Sequence, residues 1–218
     1  MPAIINPREA WLARRRELIQ ASDVPIILGV SPTGTTLLDL YLEKVGLKPD
    51  RDNSSMRWGR RLQRVVLEAY AEESGRPLIE TGEHDIALHP DVPWLGATLD
   101  AKTQREAGGV VQVGPVEAKA VGAWNRDKWK EDPPVGYVVQ VQVQMACTGS
   151  SWGSLVGLLG GMSLAWSDLE RDDAFLSAAL PHLEAFRLRV LRRDPPEPTS
   201  ADDVQTARGM PRCSSRAS

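Results

Sequence analysis

The stretch WLGATLDAKTQREAGGVVQVGPVEAKA, residues 94–120, ends one apolar run on an acid, Asp100, and sets Glu117-Ala118-Lys119 inside another. Buried charges are costly unless something pairs with them. Side chains alternate between the faces of a strand, so Glu117 and Lys119 share one face. A hairpin or a neighbouring strand can bring Asp100 beside them. Two acids and one lysine on one spot leave negative charge over, and a cation would balance it.

The donors available are hard carboxylate oxygens, which suit Mg²⁺, with Mn²⁺ as a substitute. A bound ion of this kind lowers the pKa of a water and neutralises charge developing on a phosphodiester. Lys119 can orient that water or stabilise the oxyanion. The D…E-x-K spacing alone is loose, and a surface hairpin with scattered charges would show it too.

The bulk properties narrow the classes. The chain has 218 residues, enough for one domain with a substantial core. It is 42% hydrophobic and 25% charged, which excludes a largely disordered or fibrous chain. A net charge of −3 gives no global basic field, although one face can still be positive. The two cysteines, Cys147 and Cys213, cannot make a disulfide framework or a four-cysteine cluster. That composition predicts a reducing, cytoplasmic setting. No apolar run nears the roughly 20 residues that span a bilayer, so no membrane partner is expected. The three histidines are not spaced as a ligand set.

Periodicity and caps predict helices over 7–20, a short one after Ser22 or Asp23, then 36–45, 56–75 and 172–193. In the 56–75 helix Leu62, Val65, Val66, Ala69 and Tyr70 form the expected apolar stripe. Strands are predicted at 77–80, 83–89, 94–100 and 110–119. The segment PPVGYVVQVQVQMACTG, from Pro133, fits both periods: its Val/Gln alternation suits a strand, and Tyr137, Val141, Gln144 and Met145 suit a helix. From Asp194 the chain is rich in Pro, Ser and Asp. We expect a single domain over 1–193 and a disordered tail over 194–218.

Four blocks, in order, resemble one family. They are WLARRRELIQASDVPIILGVSP from Trp11, WGRRLQRVVLEAYAEESG from Trp58, GATLDA with VEAKA around Asp100 and Glu117, and YVVQVQVQMACTG from Tyr137. Together they are similar to the YqaJ-type viral recombinase family, the lambda-exonuclease-like branch of the PD-(D/E)XK nuclease superfamily. The resemblance implies an α/β fold: a central mixed β-sheet flanked by helices, with a restriction-endonuclease-like core. It places the YVVQVQVQ block on a helix. It implies that Asp100, Glu117 and the Ala118 carbonyl hold the metal and that Lys119 handles the attacking water. Gln142, the second glutamine of Q-x-Q, would position water or substrate, with Gln140 beside it. Arg15 and Ser22 fall where the family holds the 5′-phosphate of a DNA end, and a guanidinium fork matches such a phosphate.

One position departs from the family pattern G-x-x-x-E. Counting from Gly59, Gln63 stands where the glutamate would. A glutamine offers a neutral oxygen and no charge, so affinity for a second metal should fall. The site is then a weakened one, or another acid replaces the glutamate, or the chain is a low-activity form. After the catalytic strand, Trp124, Arg126 and Lys128 are candidate DNA contacts, weighed against core tryptophans and a solvated loop. The implied activity is a Mg²⁺-dependent 5′ to 3′ exonuclease on linear double-stranded DNA ends, releasing mononucleotides in phage-type recombination. The alternatives are a DNA-end-binding module with little cleavage and an endonuclease of the same superfamily. The resemblance also implies ring-like homo-oligomers, such as a trimer, and a single-strand annealing protein as partner.

Overall fold

The computed structural model describes residues 6–48 and 54–208. Helix α1 (Pro7–Glu17) starts at Asn6, whose side chain accepts from the Arg8 amide. It stops earlier than its periodicity predicts, because the next residues are recruited by a sheet. Strand β1 (Ile19–Gln20) pairs in parallel with β4 (Leu95–Ala97), Ile19 opposite Leu95. A single turn, α2 (Val24–Ile27), follows, and then α3 (Leu37–Lys44), which opens on a capping box between Thr36 and Asp39. Helix α4 (Ser54–Ser74) ends at Gly75, whose φ of +68° is the left-handed conformation that favours glycine. Its buried stripe is Val66, Leu67 and Tyr70. Val65, expected in that stripe, is 53% exposed, one position off the inward face.

Short strands β2 (Leu78–Ile79) and β3 (Ala87–Leu88) lead into β4. The strand expected over 94–100 leaves its sheet after Ala97. The chain turns through 98–100 and enters β5 (Ala101–Ala107), which makes a hairpin with β6 (Val110–Val121) around Gly108 and Gly109. After a 3-10 turn at Ala123–Asn125 come α5 (Arg126–Glu131), α6 (Val135–Thr148), β7 (Trp152–Leu159), β8 (Ser163–Glu170) and α7 (Asp173–Arg192).

The main sheet runs β2-β5-β6-β7-β8. It is mixed: β6 and β7 are parallel and the other pairs antiparallel. A parallel pair needs a crossover, and α6 is that crossover, helical as the family resemblance implied. Helix α4 packs on one face through Val66, Leu67 and Tyr70 against Ala101, Val116 and Val156. Helix α6 covers the other through Val141 and Met145 against Leu155 and Leu159. Trp129 completes that second layer, lying over Gly157, where an added Cβ would sit 2.7 Å from its ring. A third apolar cluster joins α2, α3, α6, α7 and the small sheet β1-β4-β3. The α/β class with a central mixed sheet between helices is therefore what the chain adopts.

The tail expected to lack structure does not do so throughout. Residues 194–200 lead into helix α8 (Ala201–Arg208). Asp203 is 3% exposed and accepts from the Thr36 hydroxyl at 2.7 Å, as well as from the Thr199 and Ser200 amides. A polar anchor, invisible in the local composition, holds it. Residues 209–218 lie outside the described residues. No helix among the described residues is long and apolar enough to cross a membrane.

Candidate active site

Strand β6 alternates as its sequence requires. Val116 and Ala118 face α4, and Glu117 and Lys119 face α6. The turn from β4 into β5 lays Asp100 against the edge of β6, where the Ala118 amide donates to its Oδ2 at 2.8 Å. Asp100, Glu117 and Lys119 thus converge.

Glutamines hold both acids. From α4, Gln63 Nε2 donates to Asp100 Oδ1 at 2.8 Å. From α6, Gln140 Nε2 donates to Glu117 Oε1 at 2.7 Å, and Gln144 Nε2 donates to Oε2. Lys119 Nζ pairs with Glu117 Oε1, donates to Gln140 Oε1 at 3.2 Å and lies 4.8 Å from the centre of the Tyr137 ring. Glu117 is 3% exposed, so its charge sits in a dry place.

The electrostatics confirm an imbalance. Burial, and then the Glu117 charge, push the Asp100 carboxyl far above its ordinary value, against the weaker pull of Lys119 and the Ala118 amide. Burial works against the charged form of Lys119, but Glu117 and Asp100 outweigh it and hold its pKa above that of a free lysine. One ammonium does not neutralise two acids. The donor set fits a hard divalent cation: two carboxylates and, on the strand edge whose amide meets Asp100, the Ala118 carbonyl. A third acid in place of the family glutamate is not found among the described residues. Glu80 and Glu83 line the cleft beside Asp100, yet no cluster of three His, Cys, Asp or Glu side chains suited to a metal occurs among the described residues. That cleft measures about 530 Å³, is lined also by Arg60, Gln63, Arg64 and Thr81, and is large enough for a nucleotide.

A second group sits beside the first. Arg15 Nη1 donates to Thr98 Oγ1 at 2.9 Å, and its Nη2 reaches Ser22 Oγ at 3.5 Å. Its guanidinium stacks over Trp11, 4.8 Å from the ring centre. Thr98 lies two residues before Asp100. Sequence reasoning paired Arg15 with Ser22 and missed Thr98, whose only signal was its place on the approach to Asp100.

Gln142 needs correction. Its Nε2 donates to the Glu170 carbonyl and its Oε1 accepts from the Asp172 amide, both at 2.8 Å, on the far side of α6. Residues four apart share a helix face and residues two apart do not, so Gln140 and Gln144 face the acids. Trp124 is 96% exposed and Arg126 is exposed with it, whereas Trp129 is core. Lys128 lies in α5, and its side chain is outside the described residues.

Residues 10–151 match the YqaJ-like viral recombinase domain, well over half of the chain. The chain belongs to the YqaJ-like viral recombinase family. It is 29% identical over 174 residues to the uncharacterized protein YqaJ of Bacillus subtilis strain 168, across 78% of this chain. It spans about half of that relative, 52% of its length. Among solved structures it is similar to LHK-Exo in complex with dAMP, with a TM-score of 0.66 and 25% identity over 85% of this chain and 94% of that one. The alkaline exonuclease LHK-Exo from Laribacter hongkongensis shares the fold at a TM-score of 0.65 and 24% identity, over 92% of this chain and 96% of the other. The YqaJ-like domain matched here contains every residue of both polar groups.

Proposed function

We propose that this chain is a divalent-metal-dependent deoxyribonuclease that degrades linear double-stranded DNA from its ends, 5′ to 3′, in phage-type recombination. The observation that carries this reading is the adjacency of two sites. An anion pocket of Arg15, Ser22 and Thr98 stands two residues along the chain from Asp100, an acid of the hydrolytic cluster. A pocket for a terminal phosphate beside a site for phosphodiester hydrolysis measures position from an end. The similarity to LHK-Exo, described as an alkaline exonuclease and seen with dAMP, supports the same substrate class.

Asp100, Glu117 and the Ala118 carbonyl would hold Mg²⁺, or Mn²⁺ in its place. When bound, such an ion supplies Lewis-acid stabilisation and eases deprotonation of water. The chain's own residues do the rest. Arg15, Ser22 and Thr98 receive the 5′-phosphate. Lys119, held between Glu117 and Gln140, orients the attacking water and donates to the charge that develops on phosphorus-bound oxygen. Gln140 and Gln144 fix the Glu117 carboxylate so that it is preorganised. Trp124 and Arg126 are exposed where they can meet the backbone or bases of the DNA. A ring-like homo-oligomer enclosing duplex, a single-strand annealing partner and a cytoplasmic setting belong to the same reading.

The test is digestion with Mg²⁺ of three substrates: linear duplex with 5′-phosphate ends, the same duplex with 5′-hydroxyl ends, and a covalently closed circle. We expect mononucleotides from the first, slower release from the second and an intact circle. Cutting of the circle would make the chain an endonuclease. A second reading has its own observation. Gln63 presents an amide N–H to Asp100 where the family has a carboxylate, which favours DNA-end binding with weak cleavage. Tight end binding without product from any substrate would establish that reading instead.

A further inference from the structure

We infer that Lys44 is a positioning residue for the 5′-phosphate pocket, acting through the backbone of Arg15 and the loop that carries Ser22. This rests on the proposed function, because the pocket's role as an end anchor is part of it. Lys44 closes α3, and its side chain is 3% exposed. A buried ammonium needs every one of its donors satisfied. Its Nζ donates to the Arg15 carbonyl at 3.0 Å and to the Leu18 carbonyl at 2.8 Å, and it pairs with Asp23 Oδ2. All three donor positions are used.

The choice of partners is the informative part. The last carbonyls of a helix have no donor within it. Lys44 supplies one at the end of α1, beneath the residue whose guanidinium forms the pocket. Its third partner, Asp23, adjoins Ser22 and also accepts from the Gln20 amide at 2.7 Å. One cation therefore fixes the two halves of the pocket relative to each other. The rest of the frame is already set: the Ile19 amide donates to the Trp94 carbonyl and the Ala21 amide to the Gly96 carbonyl, which anchors the Ser22 loop against the strand leading to Thr98. Without Lys44, Arg15 would keep its charge and lose its register.

The experiment measures kcat/KM on 5′-phosphorylated and 5′-hydroxyl duplex ends for the full chain. The readout is the ratio of the two values, which does not depend on how much of each preparation is folded. Variants are Lys44→Met, Arg15→Ala and the pair combined. Because Lys44→Met strands the Asp23 carboxylate, Lys44→Met with Asp23→Asn is the companion that leaves no unpaired acid. We expect Lys44→Met to lower the ratio by roughly 10- to 100-fold, mostly through KM for phosphorylated ends, as a small misplacement of a binding group does. The companion variant should lower it likewise, and Lys44→Met should have no further effect on the ratio once Arg15 is alanine. A parental ratio in both Lys44 variants overturns the inference while leaving the pocket standing. A further fall in the Arg15→Ala background also overturns it, since Lys44 would then act by another route. An unchanged ratio in Arg15→Ala removes the pocket itself, and the role of Lys44 with it.

Discussion

Two polar clusters are built into the same five-stranded sheet, and they treat their acids in opposite ways. In one, Arg76 grips Asp168 with both Nη atoms, at 2.8 and 2.7 Å, while Ser154 donates to the same carboxylate and Tyr70 bonds to Ser154. Burial would raise the Asp168 pKa, but Arg76 and Ser154 outweigh it and bring the carboxyl below its ordinary value. Arg76 and Arg105 both stack on Trp152, so positive charge is ample there. In the other, Asp100 and Glu117 share one lysine, and the Asp100 carboxyl is driven up. A cluster whose charges cancel is complete and serves the fold. A cluster in which ionising both acids would leave surplus negative charge, and whose acids are held by neutral amides, is built to receive something.

The sharpest break between the two should come from Lys119→Ala. We expect cleavage of linear duplex to fall by about 10²–10⁴-fold, the usual worth of a positioned proton-handling group, with end binding retained. Single-turnover digestion set beside a binding titration checks it, and near-parental cleavage would take Lys119 out of the chemistry. Next in size is a contrast within α6. Gln140→Ala should slow cleavage by about 10–100-fold, as loss of a group that orients a ligand does. Gln142→Ala should instead lower the melting temperature, by the equivalent of about 1–3 kcal/mol, because the Asp172 amide loses its acceptor. The opposite pattern would restore Gln142 to the site.

The smallest effect belongs to the balanced cluster. Asp168→Asn should cost about 1–3 kcal/mol of stability near neutral pH and leave the cleavage rate alone. The sign of its pH dependence follows from the depressed pKa. The stability from ionised Asp168 is present above its unfolded value of 3.8 and is lost as pH falls through the folded value. Denaturant unfolding from pH 3 to 7 should therefore show a steeper acid loss in the parent than in Asp168→Asn. Parallel curves would mean that Arg76 does not hold this acid.

What could be read from the sequence depended on how local the signal was. Asp100, Glu117 and Lys119 were legible because strand alternation fixes faces over two residues. The helices over 36–45 and 56–75 were legible from stripes and from the stops at Gly46 and Gly75. Gln142 was misassigned because its role was taken from its place in the Q-x-Q pattern and not from a helix face: with α6 helical, Gln140 and Gln144 share the inward face and Gln142 does not. Strand β5 was missed because AKTQREA has only partial burial and no clean alternation. Thr98 was missed because its partner, Arg15, lies 83 residues away. Helix α8 was missed because Asp203 is held by Thr36 across 167 residues, a contact that composition cannot carry.

The most direct test of the surplus-charge account is calorimetric titration of the full chain with Mn²⁺, for the parent, Asp100→Asn and Gln63→Glu. We expect the parent to bind, Asp100→Asn to lose that binding, and Gln63→Glu, which restores a carboxylate beside Asp100, to bind more tightly or to take up a second ion. Equal Mn²⁺ binding by the parent and Asp100→Asn would mean that the acids on this strand edge are not where a metal goes.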